Sequence, residues 1–298
     1  MLEPSLAVAR LYNTADVGPL GKLMRRNVWY VQYILMWIAT AAMMASVASA
    51  QGQDKLHPPN PSYDGRFTFT RLRYSENLKD PCTCPVGGEM GHQFGWEHDY
   101  PRADQNITQL LSSELKLRVN IRTDSTAVIK LDDPKLMRYP MLYLTEPNCW
   151  HPSDSEVKTL RKYLLKGGFL IQDDCAMCQG SPEQFEESRQ NFEEQMRRVL
   201  PGAELVPIAL TEPHLNRFFK LHPYTIAKEL TMTGAAQGEM LVYAIYEHND
   251  PSRRIMVLAN YNVTLHAAFR YESQGSELAV GHDAFKVGIN YLLYGLTQ

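Results

Sequence analysis

The sequence predicts an α/β fold: an open, mostly parallel sheet with helices on both faces, preceded by an N-terminal apolar helix. Short apolar runs of strand length, such as Met141–Thr145 and residues 169–171, alternate with longer amphipathic segments. The 298 residues, of which 44% are hydrophobic, suffice for one large domain. The first fifty residues differ in character from the rest.

The N-terminal segment has the pattern of an export signal. A basic cluster of Lys22, Arg25 and Arg26 precedes residues 28–47, which carry no charge, and Ala48-Ser49-Ala50 follows. This order is typical of a secretory signal peptide, yet an apolar run of about twenty residues also fits a membrane anchor. Residues 1–50 are therefore interpreted as an extension, starting at Met1 or Met24, plus a signal peptide or membrane anchor. Both alternatives predict a periplasmic or other extracytoplasmic protein, secreted or anchored.

Residues 51–65 are predicted to be a linker, since they are polar and contain Pro58, Pro59 and Pro61. Residues 66–298 then form the α/β domain. Residues 1–50 have a net charge of +2 and the whole chain one of −3, so the remainder carries −5. A mildly acidic body argues against a nucleic-acid partner.

The elements of the domain follow from periodicity. Residues 67–74 alternate as a strand, Asp104 is expected to cap a helix, and Met141–Thr145 is an apolar strand. Ser153 and Glu156 form a capping box that opens the next helix. Further segments are predicted as the elements that complete the fold: a helix ended by the glycines at 167–168, a strand at 169–171, a helix at 183–200, strands at 240–246 and 254–259, and a helix at 283–294.

Four segments resemble the DUF4159 family: residues 96–106, 142–147, 167–174 and 284–291. The resemblance covers residues 66–298 and implies a class I glutamine amidotransferase-like, flavodoxin-like fold, with a function that the family leaves undefined. Enzymes of that fold place a nucleophilic cysteine on a tight strand-to-helix turn. Here that turn carries Asp173 and Asp174, with Cys175 just beyond and no Gly-x-Cys-x-Gly frame. Amidotransferase chemistry is therefore not expected.

Polar residues at the carboxyl ends of the predicted strands are the first candidate site, because ligands of open α/β sheets bind there. They are Glu146, Asp173, Asp174 and Asn260. Paired carboxylates bind a metal or act as acid and base. The structural alternative is that Asp173 and Asp174 cap backbone amides in a turn.

The segment around His98 and Asp99 is the second candidate site. Its side chains either reach the same cleft as Glu146 and Asp173, where His151 would join them, or belong to a structural cap and turn.

The cysteines form two close pairs, Cys82 with Cys84 and Cys175 with Cys178, and Cys149 is the fifth. Outside the cytoplasm the first expectation is structural disulfides. A zinc site of four thiolates and a redox-active pair are the alternatives.

Two functions are compatible with the sequence. The first is a non-catalytic binding domain for an envelope or membrane protein, as an accessory subunit of a larger membrane-associated assembly, with no defined cofactor. The alternative is a hydrolase or metal-dependent enzyme that acts on envelope carbohydrate or peptide through Asp99, Glu146, Asp173 and Asp174, with zinc or another divalent metal. Convergence of these carboxylates in one cleft favours the enzyme, and their dispersal favours the binding domain.

Overall fold

The protein is described here from a computed structural model. The chain divides into two units, residues 1–59 and 60–298. The described residues are 36, 60–74, 95–115, 121–123, 126–174, 182–223, 226, 236–270 and 282–298. Of the predicted apolar helix only Met36 is described, and it is helical and exposed. Among the described helices, none is long and apolar enough to cross a membrane.

Seven strands form a single sheet within the described residues. They are β1 (Thr70–Leu72), β2 (Ala127–Ile129), β3 (Met141–Thr145), β4 (Phe169–Asp173), β5 (Val206–Pro207), β6 (Ala236–Tyr246) and β7 (Ile255–Val263). Their order is β2-β1-β3-β4-β7-β6-β5. The first five in that order pair in parallel, whereas β6 is antiparallel to β7 and to β5. The predicted open, mostly parallel sheet is confirmed.

Helices cover both faces of the sheet in the part of the chain that is described. They are α1 (Arg102–Leu115), α2 (Asp154–Leu165), α3 (Pro182–Val199), α4 (Leu265–Arg270) and α5 (His282–Thr297). One buried cluster joins the strand residues Tyr143 and Ile171 to α1, α4 and α5. The other joins Leu144 and Leu170 to α2 and α3. Since alternate strand residues point to opposite faces, the sheet lies between two helical layers.

The structure confirms the predicted ends of α2 and corrects the predicted start of α1. The capping box at Ser153 and Glu156 is present at the start of α2. The helix ends before Gly167, whose φ of 103° suits glycine. A side chain at Gly168 would collide with the ring of Tyr163, because an added Cβ would lie 2.3 Å from it. The prediction of Asp104 as a helix cap is wrong, because α1 begins at Arg102 and places Asp104 inside its first turn.

Some elements differ from the prediction because they are short or paired at an edge. The strands β2 and β5 have three and two residues, too few for a periodic pattern. The strand predicted at 254–259 continues to Val263, and α4 follows directly. The extension places His266, the second residue of α4, at the carboxyl edge of the sheet.

Candidate functional site

A buried polar cluster lies at the carboxyl ends of the parallel strands, on the face covered by α1, α4 and α5. Asp173 at the end of β4 pairs in register with Thr145 of β3 and Asn260 of β7. The segment that follows β7 turns into α4 and brings His266 over Asp173. The turn before α1 contributes His98 and Asp99. Four separate segments therefore meet at one point, as the topology of parallel sheets favours.

The centre of the cluster is a chain of hydrogen bonds through two imidazoles. His98 Nδ1 lies 2.6 Å from His266 Nε2, and His266 Nδ1 lies 2.6 Å from Asp173 Oδ2. A carboxylate can only accept, so the proton of neutral His266 resides on Nδ1 and its Nε2 presents a lone pair. His98 Nδ1 then donates to that lone pair.

Asp173 is held in place by several donors. Its Oδ2 accepts from the Tyr143 hydroxyl at 2.7 Å and from the backbone N–H of His266 at 2.9 Å. Its Oδ1 accepts from the backbone N–H of Leu265 at 3.1 Å. Burial raises the pKa of Asp173 to about 6, against the opposing effect of these hydrogen bonds. Its ionised form is nevertheless the one that fixes the orientation of His266 at neutral pH.

Two further carboxylates face the imidazoles. Glu146 Oε1 lies 3.2 Å from His98 Nδ1. Asp99 Oδ2 lies 3.7 Å from His98 Nδ1 and 3.9 Å from His266 Nε2. The Arg270 guanidinium donates to the other oxygen, Asp99 Oδ1, at 2.6 Å, which turns Oδ2 toward the histidines.

Backbone strain accompanies both of these carboxylates. Asp99 and Glu146 have φ values of 58° and 55°, in the left-handed region that non-glycine residues seldom adopt. Such conformations cost on the order of 1–3 kcal/mol and cluster at functional sites. The strain places both acids against the histidines rather than along the regular path of the chain.

The protonation of the two histidines is pushed in opposite directions. Burial lowers the pKa of His98, but its hydrogen bond to Glu146 and the charges of Glu146 and Asp99 outweigh burial and raise it. Burial and the neighbouring His98 hold the pKa of His266 well below its usual range. Burial also raises the pKa of Glu146. The site thus favours the neutral form of His266 and the protonated form of His98.

Arg71 positions the turn that carries His98. This side chain is buried, and its Nη1 donates to the carbonyl oxygens of Trp96 at 3.2 Å and His98 at 2.5 Å. Its Nε donates to Asp104 Oδ2 at 3.2 Å, and Nη2 pairs with the other oxygen. Asp104 therefore anchors Arg71 instead of capping α1.

Ligand atoms of His98, Asp99 and His266 lie within 4.8 Å of one another and are buried. Two imidazoles and one carboxylate are a usual ligand set for zinc and for non-haem iron. These three side chains would hold such an ion, which would take the place of the proton between the two nitrogens that lie 2.6 Å apart.

The structure brings together four of the residues singled out from sequence: His98, Asp99, Glu146 and Asp173. Asn260 lies on the same face, where its Oδ1 accepts from the Tyr291 hydroxyl at 3.0 Å and its Nδ2 donates to the Gln172 carbonyl at 3.2 Å.

Asp174 and His151 lie elsewhere. Asp174 points to the opposite face and accepts from the Ser188 hydroxyl at 2.9 Å. His151 is exposed between β3 and α2. The expected disulfide, zinc or redox roles of Cys82, Cys84, Cys175 and Cys178 concern positions outside the described residues.

Sequence reasoning missed His266, Arg71, Tyr143 and Arg270. His266 follows the end of β7, and the carboxyl ends of strands are where ligands bind in open α/β sheets, so its position is a usable signal. The prediction missed it because it ended this strand at residue 259 instead of Val263. Arg71 had none, since an alternating strand pattern gives no sign that an arginine on the buried face will be paired across 33 residues.

A comparison with family models gives one match over most of the chain. The model described as "Domain of unknown function (DUF4159)" matches residues 69–296. No curated protein matches the chain. The matched range includes every residue of the cluster described above.

Proposed function

The chain belongs to the DUF4159 family, and from its buried cluster we propose that it is a metal-dependent hydrolase. His98, Asp99 and His266 would bind one divalent transition-metal ion, and Glu146 would serve as the general base. The sequence alone ranked a non-catalytic binding domain first. The convergence of three of its four candidate carboxylates on two histidines favours the enzyme instead.

The observation that carries the proposal is the hydrogen bond from His266 Nδ1 to Asp173. Metal-bound histidines commonly donate their other ring N–H to a carboxylate, which fixes the tautomer and strengthens the ligand. Here that arrangement directs the His266 Nε2 lone pair at His98 Nδ1 and Asp99 Oδ2. In the structure this lone pair accepts from His98 Nδ1, and a bound ion would take the place of that proton.

The chemistry follows from the position of Glu146. A divalent ion bound by three protein ligands keeps a place for water and lowers the pKa of that water to near neutrality. The Glu146 carboxylate lies 3.2 Å from His98 Nδ1, a proposed ligand atom, so it would be placed to take a proton from a water on a bound ion. Burial raises its pKa, which makes it a better proton acceptor than an exposed glutamate.

The proposed substrates are carbohydrate or peptide components of the cell envelope. Their support is the signal-like N-terminal segment, which would place residues 66–298 outside the cytoplasm as a secreted or anchored protein. A protein partner at the envelope is compatible with the same topology.

A metal-reconstitution assay tests the proposal. The full-length protein, stripped with a chelator, is supplied with Zn²⁺, Mn²⁺ or Fe²⁺ and assayed against chromogenic esters, glycosides and peptides. We expect hydrolysis that returns with metal, is lost in His266→Gln and is retained in His151→Gln, whose imidazole is exposed. Metal-independent activity, or activity equal in the two variants, would contradict the proposal. Absence of both metal binding and hydrolysis would favour the non-catalytic binding domain.

A further inference from the structure

A second polar region lies on the opposite face of β4, in the layer between the sheet and α3. Gln172 is buried there, and neither its Oε1 nor its Nε2 has a hydrogen-bond partner in the described structure. The buried hydroxyl of Tyr261 and the indole N–H of Trp150 are also without a partner there. These side chains belong to the face of the sheet that packs against α2 and α3.

The positions of Gln172 and Tyr261 are set by the pairing of β4 with β7. Gln172 pairs in register with Ala259, and Tyr261 is the next residue of β7 on the same face. Ala259 has only a methyl side chain, so it offers the amide of Gln172 no hydrogen-bond partner. Asp174, two residues beyond Gln172, faces the same layer and accepts from Ser188 of α3.

Unpaired polar atoms in such a place are costly. A buried donor or acceptor without a partner loses about 1–3 kcal/mol relative to one that is paired. Native proteins satisfy most such groups with protein atoms or with ordered water. Three unpaired atoms on two neighbouring side chains therefore point to an external partner.

We infer that Gln172 and Tyr261 form a second binding site that takes a neutral hydroxyl oxygen, either an ordered water molecule or a hydroxyl group of a small ligand. The Gln172 amide both donates and accepts, and so does a phenol hydroxyl. A hydroxyl oxygen matches this mixture, because it also donates and accepts. An anion would be disfavoured there, because the Gln172 Oε1 atom and the carboxylate of Asp174 are acceptors and would repel it.

The protonation of Tyr261 agrees with this role. Burial, with the charges of Glu193 and Asp174, holds its pKa well above its usual range. The hydroxyl therefore keeps its proton and remains a donor at physiological pH. The inference does not depend on the proposed metal site, which lies on the other face of the sheet.

A pair of tyrosine variants tests the site by stability. Tyr163→Phe is the reference, because its hydroxyl is buried and donates to the Tyr139 carbonyl at 3.0 Å. If the Tyr261 hydroxyl is paired with a bound oxygen, Tyr261→Phe lowers the urea midpoint of unfolding as Tyr163→Phe does. An unchanged or raised midpoint in Tyr261→Phe, beside a lowered one in Tyr163→Phe, overturns the inference.

A high-resolution crystal structure of the full-length protein distinguishes the two sources of the oxygen. A single-atom peak within hydrogen-bond distance of Gln172 and Tyr261 identifies water. Larger density there, with a matching added mass in native mass spectrometry, identifies a hydroxylated ligand. Side chains turned to partners within the protein, with no density between them, overturn the inference.

Discussion

At the residue scale, the central feature is the directed lone pair of His266. Asp173 accepts a hydrogen bond from Nδ1–H, and His98 and Asp99 face Nε2 from the other side. Each partner is itself held, Asp99 by Arg270 and Asp173 by Tyr143. These contacts make the metal-binding proposal specific to named atoms, so that single substitutions test it.

Replacing Asp173 with asparagine should weaken zinc binding about 10–100-fold, as loss of an outer carboxylate partner commonly does. The asparagine side chain no longer enforces the Nδ1–H tautomer of His266. Tyr143→Phe, which removes only the hydroxyl that donates to Asp173 at 2.7 Å, should have a smaller effect in the same direction. Isothermal titration of the chelator-treated protein with Zn²⁺ measures both.

The control for that titration is Asp154→Asn, since the side chain of Asp154 is 91% exposed at the start of α2. Its zinc affinity should equal that of the wild type. Equal affinities for wild type, Asp173→Asn and Asp154→Asn would show that Asp173 does not orient a ligand.

Zinc affinity should rise with pH with a slope of about one proton. The pKa of His98 is raised above 6.5, so below it a proton occupies the Nδ1 that a metal needs. Affinity is therefore lost as pH falls through the pKa of folded His98. His266 contributes little to this slope, because its pKa lies well below its usual range and it is already neutral.

The measurement for this pH dependence is zinc titration in buffers of different ionisation enthalpy, which gives the number of protons released. About one proton is expected below the pKa of folded His98. Release of two at acidic pH, where a zinc-bound water with a pKa of about 7 stays neutral, would show that both histidines are protonated before zinc binds.

At the scale of elements, the strands supply positions and the segments beyond them supply chemistry. The apolar strands β3 and β4 and the capping box of α2 were predictable, because periodicity and local hydrogen bonding determine them. Glu146 and Asp173 were predictable because ligands of open α/β sheets bind at the carboxyl ends of the strands. The side chain of Asp174 points to the opposite face from Asp173, because side chains alternate along a strand, so the two carboxylates do not share a cleft.

The remaining parts of the site depend on long-range pairing. Arg71 of β1 meets Asp104 of α1, and Arg270 of α4 meets Asp99. No local pattern indicates such partners, since they come together only when the sheet order is known. His266 was not predicted because the end of β7 was placed too early, and boundaries are the least predictable property of an element.

The Arg71–Asp104 ion pair should be important for the docking of α1 on the sheet. Both side chains are buried, so Arg71→Met would leave the Asp104 charge without its partner and cost about 3–5 kcal/mol of unfolding free energy. Urea denaturation measures the loss.

The comparison variant is Arg197→Met. Arg197 pairs with Glu193 at 3.3 Å but is 66% exposed, and such pairs contribute about 0–1 kcal/mol. Similar losses in the two variants would refute the role assigned to Arg71.

At the scale of the whole molecule, the α/β domain bears on the chemistry and the N-terminal segment bears on the location of the protein. The domain presents its cluster at the carboxyl edge of a parallel sheet, where folds of this class bind ligands. The N-terminal segment predicts where the proposed chemistry would take place. The family match covers the domain and gives no substrate.

Export predicts a defined outcome in cells. The full-length protein should be recovered with the envelope or the medium, and its N-terminal peptide should begin at Gln51 if a signal peptidase cuts after Ala50. An uncut N-terminus in the membrane fraction indicates an anchor, and affinity purification from that fraction identifies partners. Recovery in the cytoplasmic fraction would contradict export.

The most direct test of the proposed metal centre is a crystal structure of the zinc-loaded protein with anomalous diffraction at the zinc edge. We expect one ion bound by His98 Nδ1, His266 Nε2 and the Asp99 carboxylate at about 2.0–2.2 Å. This measurement separates the cluster from a thiolate site at Cys82, Cys84, Cys175 and Cys178, which metal content alone would not. Zinc found only at cysteines, or no zinc beside an unchanged His98–His266 hydrogen bond, would contradict the proposal.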